Sequence, residues 1–277
     1  MSILKTMRSL LGQQATTPAS QRQRLVLDPL QRTIYAVGDI HGCLELLRVL
    51  ERRIVARSHH DEGASVIVML GDYVDRGPHS AGVLDHLLAP PPEGFSRLCL
   101  AGNHEQMMLD ALSDRDAMAL WLGNGGLETL RSYGVPDAVI RHLSPHDRHV
   151  FDIVRSYVPN EHIEFLSGLP AAVQAGEYLL VHAAIDPARD LSELSDEALL
   201  WARFETDGEA GTQGPLVVHG HTVKRETAIV ANRLCLDTGA FATGVLSAAR
   251  LGADGSVEIL TTAGERPELL RPATAKH

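Results

Sequence analysis

The segment SVIVMLGDYVDRG spans residues 65–77 and joins an apolar run to a polar, glycine-containing turn. The segments TIYAVGDIHG at 33–42 and RLCLAGNHE at 97–105 repeat this order. Amphipathic stretches at 44–56 and 80–88 separate the three apolar runs. Short apolar strands that alternate with helices indicate βαβ units and a largely parallel sheet that is buried on both faces.

The second half of the chain has a different pattern. The spacing of apolar residues predicts a mostly helical insert at 114–168. One more helix is predicted at about 195–203. Strands are predicted at 171–174, 178–182, 216–219, 227–230, 233–236, 244–251 and 257–261. An α/β half followed by a mainly antiparallel β half predicts an α/β fold in which two sheets pack together, with helices outside.

The two ends of the chain differ from this pattern. Residues 1–27 contain basic side chains such as Lys5 and Arg8 but no acidic ones. Apolar residues at helical spacing near the start allow a helix that docks on a membrane surface or a partner. The alternative is a frayed tail, because isolated helices this short are marginal. We predict a flexible basic segment at 1–30, one folded domain at 31–262 and a flexible tail at 263–277.

Composition excludes several classes of function. The 25 basic and 35 acidic residues give a net charge of −10, and aromatic residues make up only 4% of the chain. Nucleic-acid binders need a basic face or a stacking platform, so we expect no nucleic-acid partner. No apolar run is long enough to span a bilayer, so no stable membrane insertion is expected. The three cysteines are far apart and form no C-x-x-C, which favours a cytoplasmic protein.

The polar turns that follow the strands carry the candidate chemistry. Ligands of open α/β sheets lie outside the carboxyl ends of the strands, so these turns should converge. Two later apolar runs also end in histidine. The expected side chains are Asp39, His41, Asp72, Asn103, His182 and His221. Each alone could be a helix cap or a buried core residue. Together they offer oxygen and imidazole ligands that suit two divalent metal ions, such as manganese, iron or zinc.

Two such ions would support phosphoryl transfer. They lower the pKa of a bridging water to make hydroxide and neutralise phosphate oxygens during in-line displacement. Arg76 can then bind phosphate oxygens in a bidentate way, although a salt bridge to Asp75 is an alternative. His104 can protonate the leaving oxygen, with Asp75 holding its imidazole in orientation.

The motifs GDxHG, GDxVDRG and GNHE, in this order, resemble those of the metallophosphoesterase superfamily. Compact bacterial and phage Ser/Thr phosphatases of its phosphoprotein phosphatase branch are the most similar. The resemblance implies a metal-centred double β-sandwich flanked by helices, the αββα calcineurin-like phosphoesterase fold, with its catalytic domain at 31–262. It further implies that Asp39, His41 and His221 bind one metal, Asp72 bridges, and Asn103 and His182 bind the other.

The same resemblance implies roles for residues around the metals. His104 would be the general acid paired with Asp75. The phosphate would lie against Arg76, Arg203 and Asn103. His219 lies close to His221 in the sequence, and whether it contacts metal is left open, with a supporting or structural role preferred.

The expected activity is hydrolysis of phosphoserine and phosphothreonine in protein substrates, with phosphotyrosine also considered, by direct attack of a dimetal-bridging hydroxide. Manganese is the preferred metal, with iron or zinc as alternatives. A second candidate activity is that of a symmetrical bis(5'-nucleosyl)-tetraphosphate hydrolase. Asp75 and Glu105 favour the phosphatase, because the hydrolase branch usually departs from both motifs. A scaffold protein with a degenerate site is the third alternative.

Overall fold

The computed structural model describes residues 21–27, 32–61, 63–141, 148–203, 214–263 and 268–270. The strands are β1 (Arg24–Val26), β2 (Arg32–Val37), β3 (Ala64–Met69), β4 (Phe95–Cys99), β5 (Ala172–Ala175), β6 (Tyr178–Val181), β7 (Leu216–His219), β8 (Ile229–Val230), β9 (Arg233–Cys235), β10 (Ser247–Leu251), β11 (Val257–Thr261) and β12 (Glu268–Leu270). The described α-helices are α1 (Leu44–Ser58), α2 (Ser80–Leu88), α3 (Asn103–Ser113), α4 (Arg115–Trp121), α5 (Leu127–Ser132), α6 (Asp137–Ile140), α7 (Arg148–Tyr157), α8 (Asn160–Ser167), α9 (Asp196–Trp201) and α10 (Ala240–Thr243).

The first sheet has the strand order β12-β11-β10-β2-β3-β4. Strands β2, β3 and β4 are parallel, as the sequence predicts, because α1 and α2 carry the chain back between them. The last three strands of the chain join the same sheet in antiparallel pairs, through contact of β10 with β2. The α/β half and the end of the chain therefore share one sheet.

The second sheet has the order β1-β5-β6-β7-β9-β8 and is mixed. Strand β6 pairs in parallel with β7, and β7 pairs in parallel with β9. The prediction of a mainly antiparallel second half is therefore wrong for these two pairs, whereas β5 with β6, β8 with β9, and the pairs of β10 and β11 are antiparallel. The physical reason is that α9 lies in the connection from β6 to β7, so the chain crosses over before the next strand begins.

The two sheets pack face to face, with helices on their outer faces. Alternate residues of β3, such as Val66 and Val68, share one apolar cluster with Leu180 and Val218 of the second sheet. The opposite face of β3 packs against α1 and α2 in a second cluster. A third cluster joins Leu199 of α9 to the outer face of the second sheet. This αββα arrangement confirms the predicted fold class.

Helices fill the described part of the predicted insert at 114–168. Between α4 and α5, the helical path is kinked at Leu122–Gly126, where Gly125 has a φ of 107°. Left-handed backbone of this kind favours glycine. Among the described residues, no helix combines the length and apolar character needed to cross a membrane.

The predicted flexible ends are wrong where strands form. Strand β1 lies inside the segment 1–30 and pairs in parallel with β5. Its middle residue, Leu25, is buried. Strand β12, inside the tail 263–277, pairs with β11. Both strands are short and lie at sheet edges, so their sequences carry too few alternating residues to show a period. The rest of both predicted segments lies mainly outside the described residues.

Candidate metal centre

The six predicted metal ligands follow strands of both sheets and are all buried, none more than 9% exposed. Asp39 and Asp72 come after β2 and β3, and Asn103 begins α3 after β4. His182 comes after β6 and His221 after β7. The side chains that the sequence placed at separate strand ends thus come together at one place.

The turns that carry these residues are strained. Five residues other than glycine have positive φ there, namely His41 at 44°, Asp72 at 53°, Asp75 at 73°, Arg76 at 67° and His221 at 65°. Such backbone costs about 1–3 kcal/mol per residue and persists where surrounding structure imposes it, most often at functional sites.

Two groups of three residues could each hold a metal ion. His41, Asp72 and His104 form one, and Asp72, His182 and His221 form the other, with ligand atoms within 4.8 Å of one another. Asp72 belongs to both groups, which is the position that a bridging carboxylate requires. The side-chain oxygen of Asn103 lies 2.9 Å from Nε2 of His182 and 2.9 Å from Nδ1 of His221. Buried oxygen and imidazole donors of this kind fit divalent metal ions.

Asp39 stands beside these groups and is not a member of either. Its carboxylate accepts the backbone N–H of His221, at 3.0 Å to Oδ2. Gly220 makes room for it, since a Cβ on that glycine would lie 1.8 Å from Oδ1 of Asp39. Asp39 is thus hydrogen-bonded to the backbone that carries His221. In the first group it is His104, rather than Asp39, that lies with His41 and Asp72.

Hydrogen bonds set the ring orientation of two ligand histidines. His41 Nδ1 donates to the carbonyl of Val74 at 2.8 Å, and His182 Nδ1 donates to that of Leu70 at 2.9 Å. This leaves Nε2 of each ring directed at the site, as for metal-binding histidines generally. Burial lowers the pKa of His182 to about 3 and that of His221 to about 3, so these rings are neutral and keep a lone pair for a metal.

Arg76 and Arg203 each contact histidine rings of the candidate centre. The guanidinium of Arg76 donates to Nε2 of His41 at 2.9 Å and lies 3.0 Å from Nε2 of His104. Arg203 Nε donates to Nε2 of His221 at 3.2 Å. The backbone N–H of Arg76 bonds to the carbonyl of Gly125 in the insert at 3.2 Å. Both predicted phosphate-binding arginines therefore lie at the candidate metal centre.

His104 and Asp75 form the predicted pair. His104 Nδ1 donates to Oδ2 of Asp75 at 2.7 Å. Asp75 is fully buried and also accepts from Trp121 Nε1 at 2.9 Å and from Thr129 Oγ1 at 2.7 Å. Burial raises the pKa of Asp75 to about 7, although the bonds from Thr129 and Trp121 oppose this.

The profile of the calcineurin-like phosphoesterases matches residues 32–225, which include all of these groups. The chain belongs to the calcineurin-like phosphoesterase family. Proteins of this family carry a dinuclear metal centre. The family assignment confirms the resemblance inferred from the three motifs.

Relatives of this calcineurin-like phosphoesterase include phosphatases and a nucleotide hydrolase. It is 30% identical to serine/threonine-protein phosphatase 2 of Salmonella typhimurium, over 79% of this chain and 92% of that protein. It is 26% identical to the symmetrical bis(5'-nucleosyl)-tetraphosphatase of Acidovorax ebreus, over 52% of this chain and 53% of the relative. The crystal structure of a cold-active protein-tyrosine phosphatase from a psychrophilic Shewanella shares the fold, with a TM-score of 0.57 at 16% identity over 93% and 90% of the two chains.

Glu105 supports the centre of this phosphoesterase in a way that sequence reasoning missed. Its buried carboxylate accepts the backbone N–H of Asp72 at 2.8 Å, of Tyr73 at 2.7 Å and of Gly102 at 2.9 Å. Burial and then repulsion by Asp72 raise its pKa to about 8. A signal existed, because an acidic residue at the third position of a helix often bonds back to the N-terminus.

Phe241 is a second residue that the sequence did not single out. It lies on α10 and is 40% exposed. The guanidinium carbon of Arg76 lies 5.0 Å from the centre of the Phe241 ring. The Phe241 and His41 rings are nearly perpendicular, with their centres 5.4 Å apart. The contact with Phe241 helps to hold Arg76 in place. Helix α10 is only one turn long, so no periodicity in the sequence predicts it.

His219 lies outside the two ligand groups. Its Nδ1 donates to the carbonyl of Gly220 at 2.9 Å, and burial lowers its pKa to about 4. It lines a small cleft together with Cys235 and Thr222. These contacts agree with the structural role preferred for His219.

Proposed function

We propose that this calcineurin-like phosphoesterase is a metal-dependent phosphatase that hydrolyses phosphoserine and phosphothreonine esters in proteins. The observation that carries the proposal is the His104–Asp75 pair, 2.7 Å apart, at the site where the two ligand groups share Asp72. Such a pair can donate a proton to a leaving alkoxide. The similarity to serine/threonine-protein phosphatase 2 over most of both chains supports the same substrate class.

The residues of the centre fit two divalent cations. We assign Asp39 and His41 to one cation, Asn103, His182 and His221 to the other, and Asp72 to both. The resemblance implied His221 on the first cation, but the grouping of His221 with Asp72, His182 and Asn103 supports the second. Bound divalent cations would activate water and neutralise phosphate oxygens. Manganese is the cation we propose, with iron or zinc as alternatives, because the donors are oxygens and neutral imidazoles without a thiol.

The remaining residues would act on the substrate directly. Arg76 lies between His41 and His104, so its guanidinium is placed to hold phosphate oxygens beside the proton donor. Arg203, close to His221, would hold the phosphate from the other side, with the Asn103 amide between them. Asp75 would keep Nδ1 of His104 protonated and its Nε2 aimed at the leaving oxygen.

The substrates would thus be phosphorylated proteins, and we place the reaction in the cytoplasm. A phosphotyrosine residue is a further candidate substrate. The second candidate function, symmetrical hydrolysis of bis(5'-nucleosyl) tetraphosphates, is favoured by the Acidovorax ebreus relative, although that match covers about half of each chain.

The test compares two substrates with one preparation of the Mn²⁺-loaded full chain. We expect steady phosphate release from a phosphoserine peptide and a much lower kcat/KM for diadenosine tetraphosphate. The His104→Asn variant should lose most of the peptide activity, by about 10²–10⁴-fold for a lost general acid. A higher kcat/KM for the tetraphosphate would establish the second candidate, and no peptide hydrolysis would refute the first.

A further inference from the structure

Asp237 follows β9 of the second sheet and comes to lie beside Asp39, which follows β2 of the first sheet. The residues just before them explain this. A Cβ on Gly38 would lie 2.2 Å from the carbonyl oxygen of Leu236, so the two backbones approach more closely than any side chain allows. This close approach brings together the residues that follow Gly38 and Leu236 in the sequence, namely Asp39 and Asp237.

The carboxylate of Asp237 is only half satisfied. The residue is 1% exposed. Its Oδ1 accepts the backbone N–H of Gly239 at 2.9 Å, in a turn where Gly239 has a φ of 66°. Its Oδ2 is buried and has no donor among the residues that the structure describes. A buried carboxylate oxygen without a donor is costly, so it calls for a proton shared with the neighbouring Asp39 or for a bound cation.

The charges around Asp237 point to a cation. Asp39 and Asp72 act on it with like sign, and Arg76 acts on it with opposite sign. The guanidinium of Arg76, however, is engaged with His41 and His104. A buried Asp39–Asp237 pair can therefore persist only by sharing a proton or by facing a positive ion.

We propose that Asp237 is an additional residue of the metal centre, whose free Oδ2 and negative charge strengthen binding of the cation on the Asp39 side. The inference rests on the metal dependence in the proposed function but not on the substrate. Asp237 would bind the divalent cation directly, or position it through a water molecule.

The test measures Mn²⁺ binding to the full chain after removal of metal with a chelator. The Asp237→Asn variant keeps the shape and the Oδ1 acceptor for Gly239 and removes the charge. In titration calorimetry we expect two Mn²⁺ sites in the wild type. In the variant, the affinity of one of them should fall by about tenfold or more, the usual range for groups that support a metal site. Asp39→Asn should weaken the same site.

Thermal melting separates this role from a structural one. Without metal, Asp237→Asn should melt at the wild-type temperature or above it, because repulsion between Asp39 and Asp237 is removed. With Mn²⁺, its gain in melting temperature should be smaller than that of the wild type. Glu258→Gln, which removes a carboxylate paired with Arg57 far along the first sheet, is the control and should leave Mn²⁺ affinity unchanged.

Two results would overturn the inference. One is wild-type Mn²⁺ affinity at both sites in Asp237→Asn. The other is a lower melting temperature of the metal-free variant with unchanged Mn²⁺ affinity, which would make Asp237 a purely structural residue. Reduced Mn²⁺ affinity would support the inference even if the wild type fails to hydrolyse phosphopeptides, so the two proposals fail separately.

Discussion

The indole Nε1 of Trp121 lies 2.9 Å from Oδ1 and 3.1 Å from Oδ2 of Asp75, the carboxylate that orients His104. Trp121 ends α4 and is fully buried. Thr129 of α5 donates a second hydrogen bond to the same carboxylate. The helical insert therefore positions a residue of the proposed proton-donating pair, in addition to any part it plays as a wall of the site.

Trp121→Phe tests this contact. The variant keeps the packing of the aromatic ring but removes the indole N–H. Apart from His104, that N–H and the Thr129 hydroxyl are the side-chain donors to Asp75. Those bonds oppose the effect of burial, which raises the pKa of Asp75 to about 7, so losing one raises that pKa further. The acidic limb of the kcat/KM profile should move to higher pH. At neutral pH kcat should fall roughly tenfold, about 1.4 kcal/mol, with KM little changed.

Trp201→Phe is the matched control, since Trp201 is 40% exposed. Its pH profile should coincide with that of the wild type. If Trp121→Phe keeps the wild-type acidic limb, the indole hydrogen bond does not influence the pair, and Trp121 serves only to pack the insert.

Glu105→Gln tests the residue that anchors the turn after β3. Its two oxygens accept three backbone N–H groups, so an amide in place of one oxygen leaves at least one buried N–H without an acceptor. Such a loss costs about 1–3 kcal/mol. We expect the melting temperature to drop by several degrees, given roughly 2–4 °C per kcal/mol in chains of this size.

Glu128→Gln provides the comparison, because Glu128 pairs with Arg131 on the surface of α5. Surface pairs contribute little, so its melting temperature should stay within a degree or so of the wild type. Equal melting temperatures for the two variants would show that the Glu105 hydrogen bonds are not needed for the turn.

The gathering of the ligands could be predicted from the sequence because Asp39, Asp72 and Asn103 each follow an apolar strand of one parallel sheet. Convergence then follows from topology alone. Asp237 also follows an apolar strand, but its place beside Asp39 depends on the contact of Gly38 with Leu236 across two sheets. Long-range backbone contacts of this kind leave no local pattern. The parallel pairing of β6 with β7 was also missed, although the helix predicted at about 195–203 provides the crossover that a parallel pair needs.

Gly220→Ala should displace Asp39. A Cβ at residue 220 would overlap Oδ1 of Asp39, and the buried carboxylate has little room to move. We expect weaker Mn²⁺ binding at one site, measured by calorimetry, together with reduced phosphatase activity. Gly123→Ala is the control, because nothing lies within 4 Å of a Cβ built there. Wild-type Mn²⁺ binding by Gly220→Ala would exclude a role for Asp39 in holding the cation.

Removal of metal should make stability depend on pH. In the folded chain, burial raises the pKa of Asp75 to about 7 and that of Glu105 to about 8, whereas both carboxyls ionise near pH 4 when unfolded. The folded state therefore holds more protons between those values, and its stability falls as pH rises through the folded pKa values. Neutral His182 and His221 act in the opposite sense, but only up to about pH 6.5, where unfolded histidine loses its proton.

The chelated chain should accordingly melt at a lower temperature at pH 8 than at pH 6.5. Bound Mn²⁺ neutralises the buried carboxylates and competes with protons for the ligands, so the Mn²⁺-loaded chain should lose less stability over the same interval. The gain in melting temperature from Mn²⁺ should thus be larger at pH 8 than at pH 6.5, as measured by scanning fluorimetry at constant ionic strength. An equal gain at both values would mean that the buried carboxylates are already ionised without metal, and that the cations do not offset their charge.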